Sequence, residues 1–114
     1  MMAGEFTNDV RMVIDARAGG LCEICRVAPV EQFHHRRARG MGGTKRRATA
    51  LPSNGLGLCA QCHYWVEANR RESLRLGYLC RQEQEPSAVA VLLDGRFVFL
   101  TDTGDYEDPP EEAD

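Results

Sequence analysis

The sequence has no long hydrophobic stretch. Its longest purely apolar run, Ala88 to Leu93, is far too short to cross a bilayer, which takes about 20 residues. The segment Met1-Met2-Ala3-Gly4-Glu5-Phe6-Thr7 lacks the charged-then-apolar pattern of a secretory signal. There is no internal repeat, and basic residues are missing altogether after Thr101. Histidine is scarce: there are three in 114 residues, and His34, His35 and His63 all fall in one stretch framed by cysteine pairs. These absences predict a soluble, cytoplasmic protein with no membrane partner.

At 114 residues the chain has the size of one domain and can bury only a limited core, so a structural metal would be a useful staple. The formal net charge of −3 conceals two regions of opposite sign. Seven acids (Asp102, Asp105, Glu107, Asp108, Glu111, Glu112, Asp114) follow Thr101; without them the body has 14 basic residues against 10 acids, a balance of +4. Arg26 to Arg47 alone holds seven basic residues and one acid, Glu31, as a phosphate-binding surface would. Residues 1–101 therefore read as a single domain, and 102–114 as an acidic, disordered tail.

Cys22-Glu-Ile-Cys25 and Cys59-Ala-Gln-Cys62 are two C-x2-C pairs. A tight turn lets two thiolates of one pair reach the same ion, and two pairs complete a tetrahedron around Zn2+. In a reducing compartment this is favoured over a disulfide, a thioredoxin-like redox pair or ordinary buried thiols. Such a site is structural, because four cysteines leave no open coordination position. The pairs are 33 residues apart, against about 15–20 in a common zinc ribbon. Cys80 stands alone and reads as a small core side chain.

Thr7 or Asn8 can cap a helix carrying Val10, Val13, Ile14 and Ala18 at helical spacing and ending at Gly19-Gly20. Val30 to Arg36 contains a strand-like segment, which puts His34 and His35 on opposite faces. Gly40-Met41-Gly42-Gly43, a basic run and Pro52-Ser53-Asn54-Gly55 form a long loop, and Leu56 to Leu58 a short return strand. A helix starts near the second cysteine pair and carries His63, Tyr64, Trp65 and Val66, with Tyr64 and Trp65 expected to pack. Arg70 to Leu76 is a further helical stretch, and Asp94-Gly95 joins two apolar segments as a hairpin within 87–101. Gly43-Thr44-Lys45-Arg46 lacks the ending of a nucleotide-binding P-loop.

The ordered set Cys22/Cys25, Phe33-His34-His35-Arg36, Gly40-Met41-Gly42-Gly43, Asn54 and Leu58-Cys59-Ala60-Gln61-Cys62-His63 resembles the HNH endonuclease family. The likeness covers roughly residues 20–70, with weaker similarity to phage-borne members in the flanks. It implies an α+β fold: a zinc-stabilised ββα-metal, treble-clef-like domain with an N-terminal helix and a C-terminal β-hairpin. It implies DNA phosphodiester hydrolysis, nicking or double-strand cutting, that leaves a 5′-phosphate and a 3′-hydroxyl. His35 would be the general base, Asn54 would pin the hairpin loop or orient His35, and His34 and His63 would hold a catalytic divalent ion. That ion would be Mg2+, Mn2+, Ni2+ or Zn2+, distinct from the structural Zn2+. A phage or prophage origin, and packaging proteins as partners, follow from the family association alone.

In this sequence His34 stands where many members carry a metal-binding Asp, and Gly55 follows Asn54 where an apolar residue is common. A one-residue slip in strand register would exchange the roles of His34 and His35. Arg36, Arg37, Arg39, Lys45, Arg46 and Arg47 are the expected DNA-phosphate contacts. The main rival is a non-catalytic zinc-finger module that binds nucleic acid, which leaves the coincidence of His34, His35, Asn54 and His63 unused.

Overall fold

A computed structural model describes residues 4–40 and 46–109. Met41 to Lys45, which includes most of the glycine loop and one expected phosphate contact, lies outside them. The architecture is α+β, with three α-helices and two small sheets. Among the described residues no helix is long and apolar enough to cross a membrane.

Helix α1 (Asn8–Ala18) begins where the Thr7 hydroxyl accepts from the Val10 N–H. It ends at Gly19 in the left-handed conformation, with the Gly19 and Gly20 N–H groups donating to Ala16 and Asp15. Its buried side chains are Ile14 and Ala18, and Ile14 lies against strand β2 (Gly55–Leu58). That strand pairs antiparallel with β1 (Gln32–His35), Phe33 opposite Gly57 and His34 opposite Leu56.

The sequence Gly-Leu-Gly-Leu explains how β2 is buried on both faces. Leu56 and Leu58 enter the core, while the two glycines leave room on the other face for α1. A Cβ on Gly55 would fall on Ile14 Cδ1 and lie 3.0 Å from the Phe6 ring; one on Gly57 would lie 3.0 Å from Val30. The small residue after Asn54 is thus where the helix docks against the strand backbone.

Helices α2 (Ala60–Ala68) and α3 (Arg70–Leu76) follow, meeting at Asn69. The core joins β2 and α2 to a second sheet of β3 (Val91–Leu93), β4 (Arg96–Leu100) and β5 (Tyr106–Glu107). Asp94 and Gly95, both at positive φ, make the β3–β4 turn. Burial of each Leu or Val here contributes about 1.5–3 kcal/mol.

Two expectations are corrected. The segment after Thr101 is not wholly a disordered tail, because β5 pairs with β4 within it. Asp102 accepts from the Ser53 hydroxyl, and Tyr106 donates to Glu23, whose buried carboxylate also holds Arg17 at 2.7 Å and the Gly57 N–H at 2.9 Å. Asp102 and Tyr106 are therefore partners of the body. Tyr64, expected to pack, is 76 % exposed; only Trp65 meets an aromatic neighbour, edge-on to Tyr78.

Gly55→Ala should therefore force α1 off the strand. The expected loss is about 1–3 kcal/mol of unfolding free energy in urea titration, the usual cost of overpacking. An unchanged midpoint and slope would show that Ile14 can make way.

Candidate metal centres and the histidine groove

The first centre is the four-cysteine cluster. Cys22 and Cys25 lie in the knuckle after α1, and Cys59 caps α2, its sulfur accepting from the Cys62 N–H. One Sγ from each of the four lies within 4.8 Å of all the others, with Cys25 and Cys59 4.0 Å apart. A tetrahedron of 2.3 Å Zn–S bonds has edges of about 3.8 Å, so the donor set fits zinc in type and spacing. Backbone N–H groups of Ala28 and Val27 draw the Cys25 thiol down to about 6, while burial and the neighbouring thiols push Cys62 up. Four sulfurs so crowded are suited to a central cation.

The second cluster joins His34, His63 and Glu67. His34 lies on the face of β1 that meets α2, and His63 and Glu67 occupy one side of that helix at i and i+4. His34 Nδ1 is 3.2 Å from His63 Nε2; Glu67 Oε1 is 3.7 Å from the former and 3.9 Å from the latter. Ligands at 2.0–2.1 Å from one ion would be about 3.0–3.4 Å apart.

The surrounding hydrogen bonds decide which ring nitrogens carry lone pairs. His34 Nε2 is 2.8 Å from the Tyr78 carbonyl, which can only accept, so Nε2 bears the proton. Gln32 Oε1 does the same for His63 Nδ1. Both remaining nitrogens are therefore bare, and they face each other beside a carboxylate. Burial holds His34 at about 4, below the ordinary histidine value, which keeps it neutral at pH 7. The three acceptors are a candidate cation site, with Tyr78 and Gln32 as outer partners that orient the two imidazoles. The Glu67 oxygen lies slightly further out than a ligand spacing.

His35 lies on the other face of β1. Its Nε2 donates to the Gly4 carbonyl at 2.7 Å, and its ring stacks on Phe6. Burial lowers its affinity for a proton as well. An open groove of about 500 Å3 is nevertheless lined by Phe33, His34, His35, Arg39, His63 and Glu67, so the two histidine faces share one opening.

Asn54 is fully buried away from solvent and closes the long loop between the strands. Its Oδ1 accepts from the Arg37 N–H at 2.7 Å, and its Nδ2 donates to the Arg37 and Thr49 carbonyls. The backbone adds an Arg36 N–H to Asn54 carbonyl bond.

The expected phosphate contacts divide sharply. Arg36 and Arg37 are both 0 % exposed and so are not available to a phosphate. Arg36 donates to the carbonyls of Ser53, Gly77, Pro86 and Val89, and Arg37 to the Gln84 carbonyl and the Thr49 hydroxyl. Arg46 donates to the Gln82 carbonyl, Arg39 reaches the groove, and Arg47 is exposed in the turn Arg47–Ala50. Lys45 lies outside the described residues.

Glu67 is not among the residues that the sequence pattern singled out. Its signal is the i, i+4 spacing from His63, one helical turn along a helix that the pattern does place. A second cavity of about 230 Å3 is lined in part by Arg17, Glu23 and Tyr106, with Arg17 and Tyr106 both bonded to the Glu23 carboxylate. No family model, curated protein or solved structure matches the chain.

On zinc-loaded protein, Glu67→Gln and Gln32→Leu should each retain one zinc per chain. Calorimetry with Mn2+ should show a second site weakened by about 10–100-fold, the range for lost ligand support. Unaltered Mn2+ affinity in both variants would remove the cation site.

Proposed function

We propose that the chain is a metal-dependent DNA endonuclease of the HNH type, built on a ββα-metal unit of β1, β2 and α2. The observation that carries this reading is the groove that brings a second histidine, His35, beside the acceptors of His34, His63 and Glu67. Nucleophile activation and charge neutralisation are the two needs of phosphodiester hydrolysis, and adjacent residues supply both.

His34, His63 and Glu67 would hold one divalent cation. Bound there, it supplies charge neutralisation for the phosphate and the leaving 3′-oxygen. The carboxylate usual at the position of His34 is here contributed by Glu67, from the helix. Mn2+, Ni2+ and Zn2+ suit this mixed nitrogen and oxygen set, and Mg2+ suits its carboxylate.

His35 is the general base. With Nε2 donating to Gly4, Nδ1 is the nitrogen free to take a proton from water. Asn54 acts at a distance, holding the ends of the loop so that β1 and β2 keep their register. Arg39 at the groove and exposed Arg47 remain as contacts that hold the DNA backbone. The four-cysteine zinc has no place in the chemistry; it anchors the start of α2 immediately before His63.

Supercoiled plasmid nicking with added divalent metal tests the reading. His35→Ala should lose on the order of 10²–10⁴ in rate while retaining fold and zinc, the usual contribution of a general base. Wild-type protein that shifts DNA but never nicks it would instead be a zinc-finger binding module.

A further inference from the structure

Strand alternation creates a problem for His35. The groups that fix His34 and His63, the Tyr78 carbonyl and Gln32, lie on the α2 side of β1, and His35 points the other way. A ring left unrestrained there would exchange tautomers and rotate, so that either nitrogen could face the groove.

We propose that the segment Gly4–Phe6 is a positioning strap that sets the tautomer and ring plane of His35. Each of its three residues has a partner at the groove. The Gly4 carbonyl accepts from His35 Nε2 at 2.7 Å. The Phe6 ring lies parallel to the imidazole, with centroids 3.9 Å apart and planes 7° from each other, which opposes rotation of the ring. Glu5 Oε1 sits 3.4 Å from Arg39 Nη1 and holds that guanidinium at the groove.

The strap is itself anchored. Phe6 is 3 % exposed, and its ring fills the space above Gly55, beside Ile14. The glycine of β2 therefore serves α1 and the strap together. Phe6 and Gly4 act through His35, so they are positioning residues. Their importance for cleavage rests on the nuclease reading; the geometry they impose on the imidazole does not.

Long-range proton–nitrogen NMR on the zinc-loaded full chain tests the geometry directly. In wild type, His35 should appear as a single tautomer protonated at Nε2; a dominant Nδ1–H form would overturn the proposal. Phe6→Leu keeps apolar volume and removes the ring. It should give mixed His35 tautomers, with the His34 and His63 signals and zinc content unchanged. Its plasmid-nicking kcat should fall on the order of 10–100-fold, with KM within about twofold, as expected for a misplaced catalytic group. An unchanged kcat, or a lower kcat with the His35 tautomer intact, would overturn the strap. If Phe6→Leu does not fold, the wild-type tautomer still decides. Absence of nicking by wild type under every metal would defeat the nuclease reading, and the strap would then stand or fall on the tautomer spectrum alone.

Discussion

The buried guanidinium of Arg36 is the constraint around which the other segments are arranged. It directly follows the histidine strand and donates to four backbone carbonyls, from the end of the long loop, the close of α3, and the turn leading into β3. Burial lowers its proton affinity, yet arginine remains charged under all ordinary conditions. Taking a cation out of water costs several kcal/mol, which charge-assisted bonds to all these carbonyls offset. Segments distant in sequence are thereby forced to converge behind β1. The register that separates His34 from His35 depends on that convergence.

The four-cysteine cluster, a candidate zinc centre, imposes a second, more local order. Cys59 is both ligand candidate and helix cap, and Cys62 immediately precedes His63. The turn of α2 that leaves the four-cysteine cluster therefore arrives at the histidine cluster with little freedom. A small core gains stability from such a clip, and the adjoining site gains orientation from the same few residues. Charge makes a third link: Glu23, in the first knuckle, gathers Arg17 of α1 and Tyr106 of β5.

Much of the α+β architecture was legible locally. The cysteine spacing marked the four-cysteine cluster, Thr7 and Gly19 bounded the first helix, and Asp94-Gly95 marked the hairpin. Period-two alternation was enough to separate the two neighbouring histidines. What escaped depended on tertiary partners. Arg36 and Arg37 belong to a run that looks like a phosphate-binding surface, and nothing local reveals that distant carbonyls will enclose them. Asp102 and Tyr106 read as part of an acidic tail because their partners, Ser53 and Glu23, lie far back in the chain. Gly55 looked like a departure until Ile14 and Phe6 were seen to occupy the space above it. Glu67 is different in kind, since helical spacing alone could have paired it with His63.

The glycine face of β2 also bears on the order of folding. Glycine loses the most conformational freedom on entering a strand and offers no side chain across the ladder. The partner strand is four residues long, and residues 36–54 must close before the two can meet. Such a hairpin has little reason to form on its own. Its pairing is rewarded when α1 lays Ile14 across the bare backbone, so the histidine groove depends on long-range contacts rather than on its own turn.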